Sequence, residues 1–186
     1  MFSFLLAAFI ALLLFVGFHA YTLMQNQRDA DKSWTHIDVR MKMRHSELQK
    51  LMAVCHQQQN LLEERTLKGV ENARNHLASA METGNFQSLG EAETYLRDEL
   101  KRIYEVAAAN PELGSNETIS RLLNGIAKLQ AAIVEYSERY NAQADTNNTR
   151  LETFPGNLLG SLFGYSHLQP LTFKTEDRKN IGARSF

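Results

Sequence analysis

The sequence predicts an all-α protein in which an N-terminal transmembrane helix continues into an elongated antiparallel helical bundle. Three observations carry that expectation. Phe2–Phe18 contains only Phe, Ser, Leu, Ala, Ile, Val and Gly. From Trp34 onward, apolar residues recur at three- and four-residue spacing, the period of one helix face. The 186 residues hold only three prolines and ten glycines, and few β-branched runs, which favours helix throughout.

The first charged side chain is Arg28. As a helix, Phe2 to Met24 rises about 35 Å at ~1.5 Å per residue, enough for a ~30 Å hydrocarbon core. A cleaved signal peptide needs a basic leading segment and a small-x-small cleavage site. Nothing basic precedes the apolar run, and Phe18-His19-Ala20-Tyr21 suits cleavage poorly. Residues 1–25 are therefore expected to be an uncleaved anchor, with the lipid bilayer as partner through residues 2–24.

All 20 Lys and Arg and all 21 Asp and Glu follow the anchor. Their signs alternate along the chain, without the basic stripe of a nucleic-acid binder. The single cysteine, Cys55, cannot form an internal disulfide, and its apolar setting reads as core.

Residues 26–173 form the expected bundle domain. The first stripe runs through Trp34, Ile37, Met41, Leu48, Leu51, Cys55, Leu62, Val70, Ala73, Leu77 and Met81, with His45 and Gln58 on the same seam. It predicts one helix or a slightly broken pair, weakest at Gly69 and ending at Gly84, a residue suited to the left-handed conformation after a helix. Ser88 with Glu91 reads as a capping box opening the next helix. Its stripe is Leu89, Ala92, Leu96, Ile103 and Val106, widened by Tyr95 and Leu100, and Asn110-Pro111 stops it. A further helix starts near Ser115 or Asn116 and carries Ile119, Leu122, Leu123, Ile126, Leu129, Ile133, Tyr136, Tyr140, Ala144, Leu151 and Phe154. Pro155 breaks it or opens a short helix, Gly156–Gly164. An apolar stretch to Phe173 follows, and residues 174–186 are expected to be a disordered polar tail.

No catalytic, cofactor-binding or metal-ligating set emerges. None of the six histidines completes a His-Glu-x-x-His pattern. Asp38 and Glu63-Glu64-Arg65 read as ion-paired or solvated helix faces. Two features suit interaction or close contact instead. Asn141 and Asn148 stand seven residues apart on one helix face, beside the apolar stripe. Gly156, Gly160 and Gly164 form a ridge at four-residue spacing that lets another helix approach closely. That segment either caps its own bundle or docks on a partner or the bilayer surface.

Four pieces stand in order along the chain: Trp34-Thr35-His36-Ile37-Asp38-Val39-Arg40 with Lys42 and Arg44; Val70-Glu71-Asn72-Ala73-Arg74; Asn110-Pro111-Glu112-Leu113 with Asn116-Glu117; and Arg139-Tyr140-Asn141 running through Asn148 to Phe154-Pro155-Gly156-Asn157-Leu158-Leu159. These pieces resemble the LemA family of bacterial membrane proteins. Together they cover roughly Arg28 to Phe173. The chain is a divergent member by this resemblance. Leu48-Gln49-Lys50-Leu51-Met52 lacks the family's proline, Asn147 stands where a second tyrosine is common, and Ala144 where valine is common.

The resemblance implies a single-pass protein of the bacterial inner membrane with a short outside N-terminus and a cytoplasmic helical domain. It implies no reaction, cofactor or substrate. The expected function is that of a non-catalytic adaptor or scaffold presenting a helical face to partner proteins, with no nucleic-acid or small-molecule ligand. Two alternatives remain open: a regulatory or accessory subunit of a membrane enzyme such as a protease, and a self-associating structural oligomer that organises membrane.

Overall fold

The computed structural model describes residues 1–57 and 62–173. Gln58 and the polar tail 174–186 lie outside the described residues. Every regular element among them is an α-helix: α1 Phe2–Gln57, α2 Glu64–Thr83, α3 Phe86–Ala109, α4 Pro111–Ser115, α5 Glu117–Glu152 and α6 Gly156–Phe163. The first apolar stripe thus belongs to two helices. The chain divides into two compact units, one formed by Met1–Thr35 with Ser137–Pro170, the other by His36–Tyr136 with Leu171–Phe186.

Short polar side chains set the helix boundaries. Gly84 closes α2 in the left-handed region, at φ 64°, where a Cβ is costly. Asn85, rather than Ser88, opens α3: its Oδ1 accepts from the backbone N–H of Gln87 at 2.9 Å and of Ser88 at 3.1 Å. An asparagine in extended conformation is as good a cap as serine, and this one comes three residues earlier, so the helix starts there. Asn110 serves two helices. Its N–H closes α3 on the Val106 carbonyl, and its side chain caps α4 at the Glu112 N–H. Asn116 caps α5 in the same manner through the Ile119 N–H at 3.1 Å.

In the larger unit, α2 and α3 run antiparallel, with Gly69 beside Glu99 and His76 beside Tyr95. Gly69 has a steric reason to be glycine, since a Cβ there would stand 2.5 Å from a Glu99 carboxylate oxygen. Gly90 makes similar room for the Thr172 carbonyl, which lets the segment at Leu171 lie against α3. Tyr95, read from the sequence as widening the core stripe, is instead 40 % exposed. Ala107 takes the buried position next to the predicted Val106, and Ala80 the one next to Met81.

The centre of this unit is charged. Arg44 is 0 % exposed and Glu93 2 %. The Arg44 guanidinium makes a two-pronged pair with the Glu93 carboxylate, one prong at 2.9 Å, and also donates to the Gln130 side-chain oxygen. Tyr104 is pushed up to about 12 by burial, an effect that the positive Arg44 partly offsets; its hydroxyl donates to the Leu123 carbonyl at 3.0 Å. His45 is held below the ordinary histidine value, first by burial and then by Arg74 and Arg44. Burial raises the Cys55 thiol to about 11, which keeps it protonated and unreactive near neutral pH.

A buried pair of this kind is held by mutual compensation, so breaking it and deleting it should differ. Glu93→Ala should cost about 3–5 kcal/mol, because it strands the Arg44 charge in the core. Arg44→Met combined with Glu93→Leu should recover most of that loss. Chemical denaturation of the full chain in detergent measures both; a double variant as unstable as the single one would show that the pair contributes more than its own neutralisation.

Candidate interaction surface

The smaller unit contains all five residues singled out from the sequence. Its two long segments, α1 up to Thr35 and α5 from Ser137, run antiparallel. Ser33 Oγ donates to Gln143 Oε1 at 2.7 Å, and the Trp34 and Tyr140 rings stand 6.2 Å apart. On α5 the buried positions Ser137, Tyr140, Ala144, Asn147 and Leu151 alternate three- and four-residue steps, the spacing that keeps one face on a neighbouring helix. On α1 the large apolar side chains from Phe2 to Phe18 are exposed almost throughout, whereas Leu23 is 1 % exposed.

Residues 165–170 return along α5 as an irregular segment held by side chains. Asn148 grips Leu168 twice at 2.8 Å, its Oδ1 accepting from the backbone N–H and its Nδ2 donating to the carbonyl. The side-chain amide thus supplies both bonds that a neighbouring β-strand would supply. Tyr140 Oη donates to the Gln169 carbonyl at 3.0 Å. The Ser166 carbonyl accepts from Asn147 Nδ2 and from Gln27 Nε2, each at 3.3 Å. Burial, then the nearby negative Asp31, raises the Tyr140 phenol above its ordinary value, so it stays a donor near neutral pH.

Asn148 therefore anchors a chain segment, while Asn141, two turns earlier on the same face, is half-buried. Sequence reasoning passed over Asn147 as a departure from the family pattern, yet it is 0 % exposed and binds Ser166. The available signal was its place in the alternating three-and-four spacing between Ala144 and Leu151.

The glycine ridge divides. Gly156 lies against the Arg150 carbonyl, so closely that a Cβ would collide with backbone. Gly160 faces the Leu151 side chain, where a Cβ would come within 2.5 Å of Cδ2. These two seat α6 on the end of α5. Gly164 does a different job: at φ 72° it is the left-handed residue after α6, with the Tyr165 N–H donating back to the Gly160 carbonyl at 2.9 Å, a Schellman closure. With the glycines turned inward, Leu158, Leu162 and Phe163 point outward. Phe154, placed by the sequence on the buried stripe of α5, is 74 % exposed. That helix ends at Glu152, and past its end the periodicity no longer sets direction.

Elsewhere several charged side chains pair within their own helix. Asp38 pairs with Lys42 at 2.7 Å and Glu64 with Lys68 at 2.6 Å. Among the described residues, no three His, Cys, Asp or Glu side chains gather as a metal site would require.

The two inward glycines should respond unequally to added bulk. Gly156→Ala drives a methyl into backbone and should destabilise the full chain in detergent by about 1–3 kcal/mol. Gly160→Ala meets only the far end of a flexible leucine and should cost less. Thermal melts of the two variants decide it; equal melting temperatures would mean that α6 does not bear on α5 as described.

The model of the LemA family matches residues 33–183 of the chain. No curated protein matches it. The matched span contains all four motif blocks and takes in the Arg44–Glu93–Gln130 core, the Asn147–Asn148 clamp and α6, and on that match the chain belongs to the LemA family.

Proposed function

We propose that this LemA-family protein is a single-pass, membrane-anchored adaptor without catalytic activity of its own, with its helical domain in the cytoplasm. The observation that carries the reading is α1. Within this one helix, an N-terminal stretch of mean hydropathy 2.4 is long and apolar enough to cross a membrane, with none of it buried in the protein. A row of uncovered Phe, Leu and Ile side chains is costly in water and favourable in lipid. The same helix goes on to bury Ile37, Met41, Leu48 and Leu51 among protein. Such a helix ties a folded domain to a bilayer.

The orientation rests on charge. Arg28, Lys32, Arg40 and Lys42 all follow the apolar stretch and lie within the distance over which basic residues hold a flank on the cytoplasmic side. The buried charged groups also support a structural role, because Arg44 donates to both Glu93 and Gln130 in the core. Groups so engaged specify a fold more readily than they serve a reaction. The adaptor role follows from what remains: long helices with charged outer faces held at a membrane surface.

A reporter active only in the periplasm, fused after Arg178, should give no signal, while the full chain sediments with membranes and resists extraction by alkaline carbonate. A strong periplasmic signal would reverse the orientation. Crosslinking in native membranes separates the functional readings. An adaptor or accessory subunit gives discrete products with other proteins; a ladder of the chain with itself alone would replace this reading by a structural oligomer.

A further inference from the structure

We infer that α6 is a second membrane contact: its outer face, with Phe154, lies in the lipid interface beside the point where α1 leaves the bilayer. The inference rests on the anchor reading above and adds a separate site to it.

The position of α6 along α1 comes from the pairing of α1 with α5. Ser33 stands opposite Gln143. In an antiparallel pair, each step back along α1 matches a step forward along α5, so Glu152, nine residues past Gln143, stands near the level of Met24. Burial agrees, because Leu23 and Leu151 are both covered. The bond from Gln27 to Ser166 fixes the returning segment about one turn from that level. The segment that passes from α5 into α6 therefore sits where the apolar stretch ends. A helix starting at Phe2 has risen about 35 Å by Met24 at ~1.5 Å per residue, which spans a ~30 Å hydrocarbon core and reaches its edge.

What α6 presents there is apolar. Leu162 is 76 % exposed, Leu158 62 % and Phe163 55 %, with Phe154 just before the helix. Leu158 and Leu162 are four residues apart and so share one face. The opposite face is committed to α5 through Gly156 and Gly160. The Phe163 and Tyr165 rings stand 6.2 Å apart, tilted against each other, and on α1 Tyr21 and the His19–Phe15 pair occupy neighbouring turns. Aromatic rings with a polar edge concentrate at the border of hydrocarbon and water. The bilayer occupies this patch because the bare apolar side chains stand at the level where the uncovered apolar stretch of α1 ends.

The test uses the full chain with Cys55→Ser, reconstituted alone in vesicles of phosphatidylethanolamine and phosphatidylglycerol. Single nitroxide labels are placed at Leu158→Cys and Leu162→Cys. Leu12→Cys is the lipid control and Thr146→Cys the aqueous one. Collision with oxygen, which concentrates in lipid, is compared with collision with a water-soluble nickel chelate. The labels on α6 should show high oxygen and low nickel accessibility, approaching Leu12 and several-fold away from Thr146. High nickel accessibility on α6 with a lipid-like Leu12 overturns this inference alone and leaves the face to solvent or a protein partner. Low accessibility to both reagents also overturns it, because a second copy then covers the patch. A water-exposed Leu12 would instead bring down the anchor reading. Every labelled position is exposed in the protein, and circular dichroism confirms that the labelled chains keep their helix.

Discussion

Within about three turns of α1, between Phe18 and Ala30, the protein passes from side chains that it leaves bare to side chains that it covers completely, and much of the smaller unit serves that change. On the proposed anchoring, one backbone ladder serves two solvents. In lipid, an α-helix satisfies its own amide groups and needs only apolar side chains. In water, the same helix must hide its apolar face against protein, because a lone helix is marginal. The handover begins at Leu23. The end of α5 arrives there, and the segment from Tyr165 to Pro170 is tied back by Asn147, Asn148 and Tyr140. Those ties give the chain beyond α6 a hydrogen-bonded route along α5.

The larger unit solves a different problem. Its helices share apolar stripes that would tolerate several registers, and a core of leucines alone specifies position weakly. The Arg44–Glu93–Gln130 group supplies a directional constraint, since a two-pronged guanidinium–carboxylate pair forms in one arrangement and is costly in others. It draws on α1, α3 and α5 together, so one misplaced helix would leave a charge stranded in the core.

Much of this fold was legible in the sequence. The anchor, the long helices, the turn at Gly84, the stop at Asn110-Pro111 and the short helix after Pro155 follow from hydropathy, period and local backbone preference. Those signals are local, and they need no knowledge of what lies across the core. The errors lie where partners distant in sequence decide. Arg44 stood in the sequence only as a member of the first motif block, because its partners lie 49 and 86 residues away. Its place four residues before Leu48 and three after Met41 was the clue that it faced inward. Asn147 and Asn148 could be placed on a helix, but nothing local says that a segment about twenty residues later returns to them. The glycine ridge was visible as a pattern, yet its third member is a cap rather than a contact surface, and only the path of the chain separates the two. Asn85 and Ser88 are caps of similar quality, and choosing between them needs the backbone itself.

Amide hydrogen exchange of the full chain in lipid nanodiscs tests the central claim most directly, that one unbroken helix runs from the bilayer into the protein core. Slow exchange should run without interruption from Leu6, past the first helical turn, to Cys55, because lipid excludes water from the first part and burial protects the second. A fast-exchanging segment between Phe18 and Arg28 would contradict it, because the anchor and the folded domain would then be separate bodies joined by a hinge.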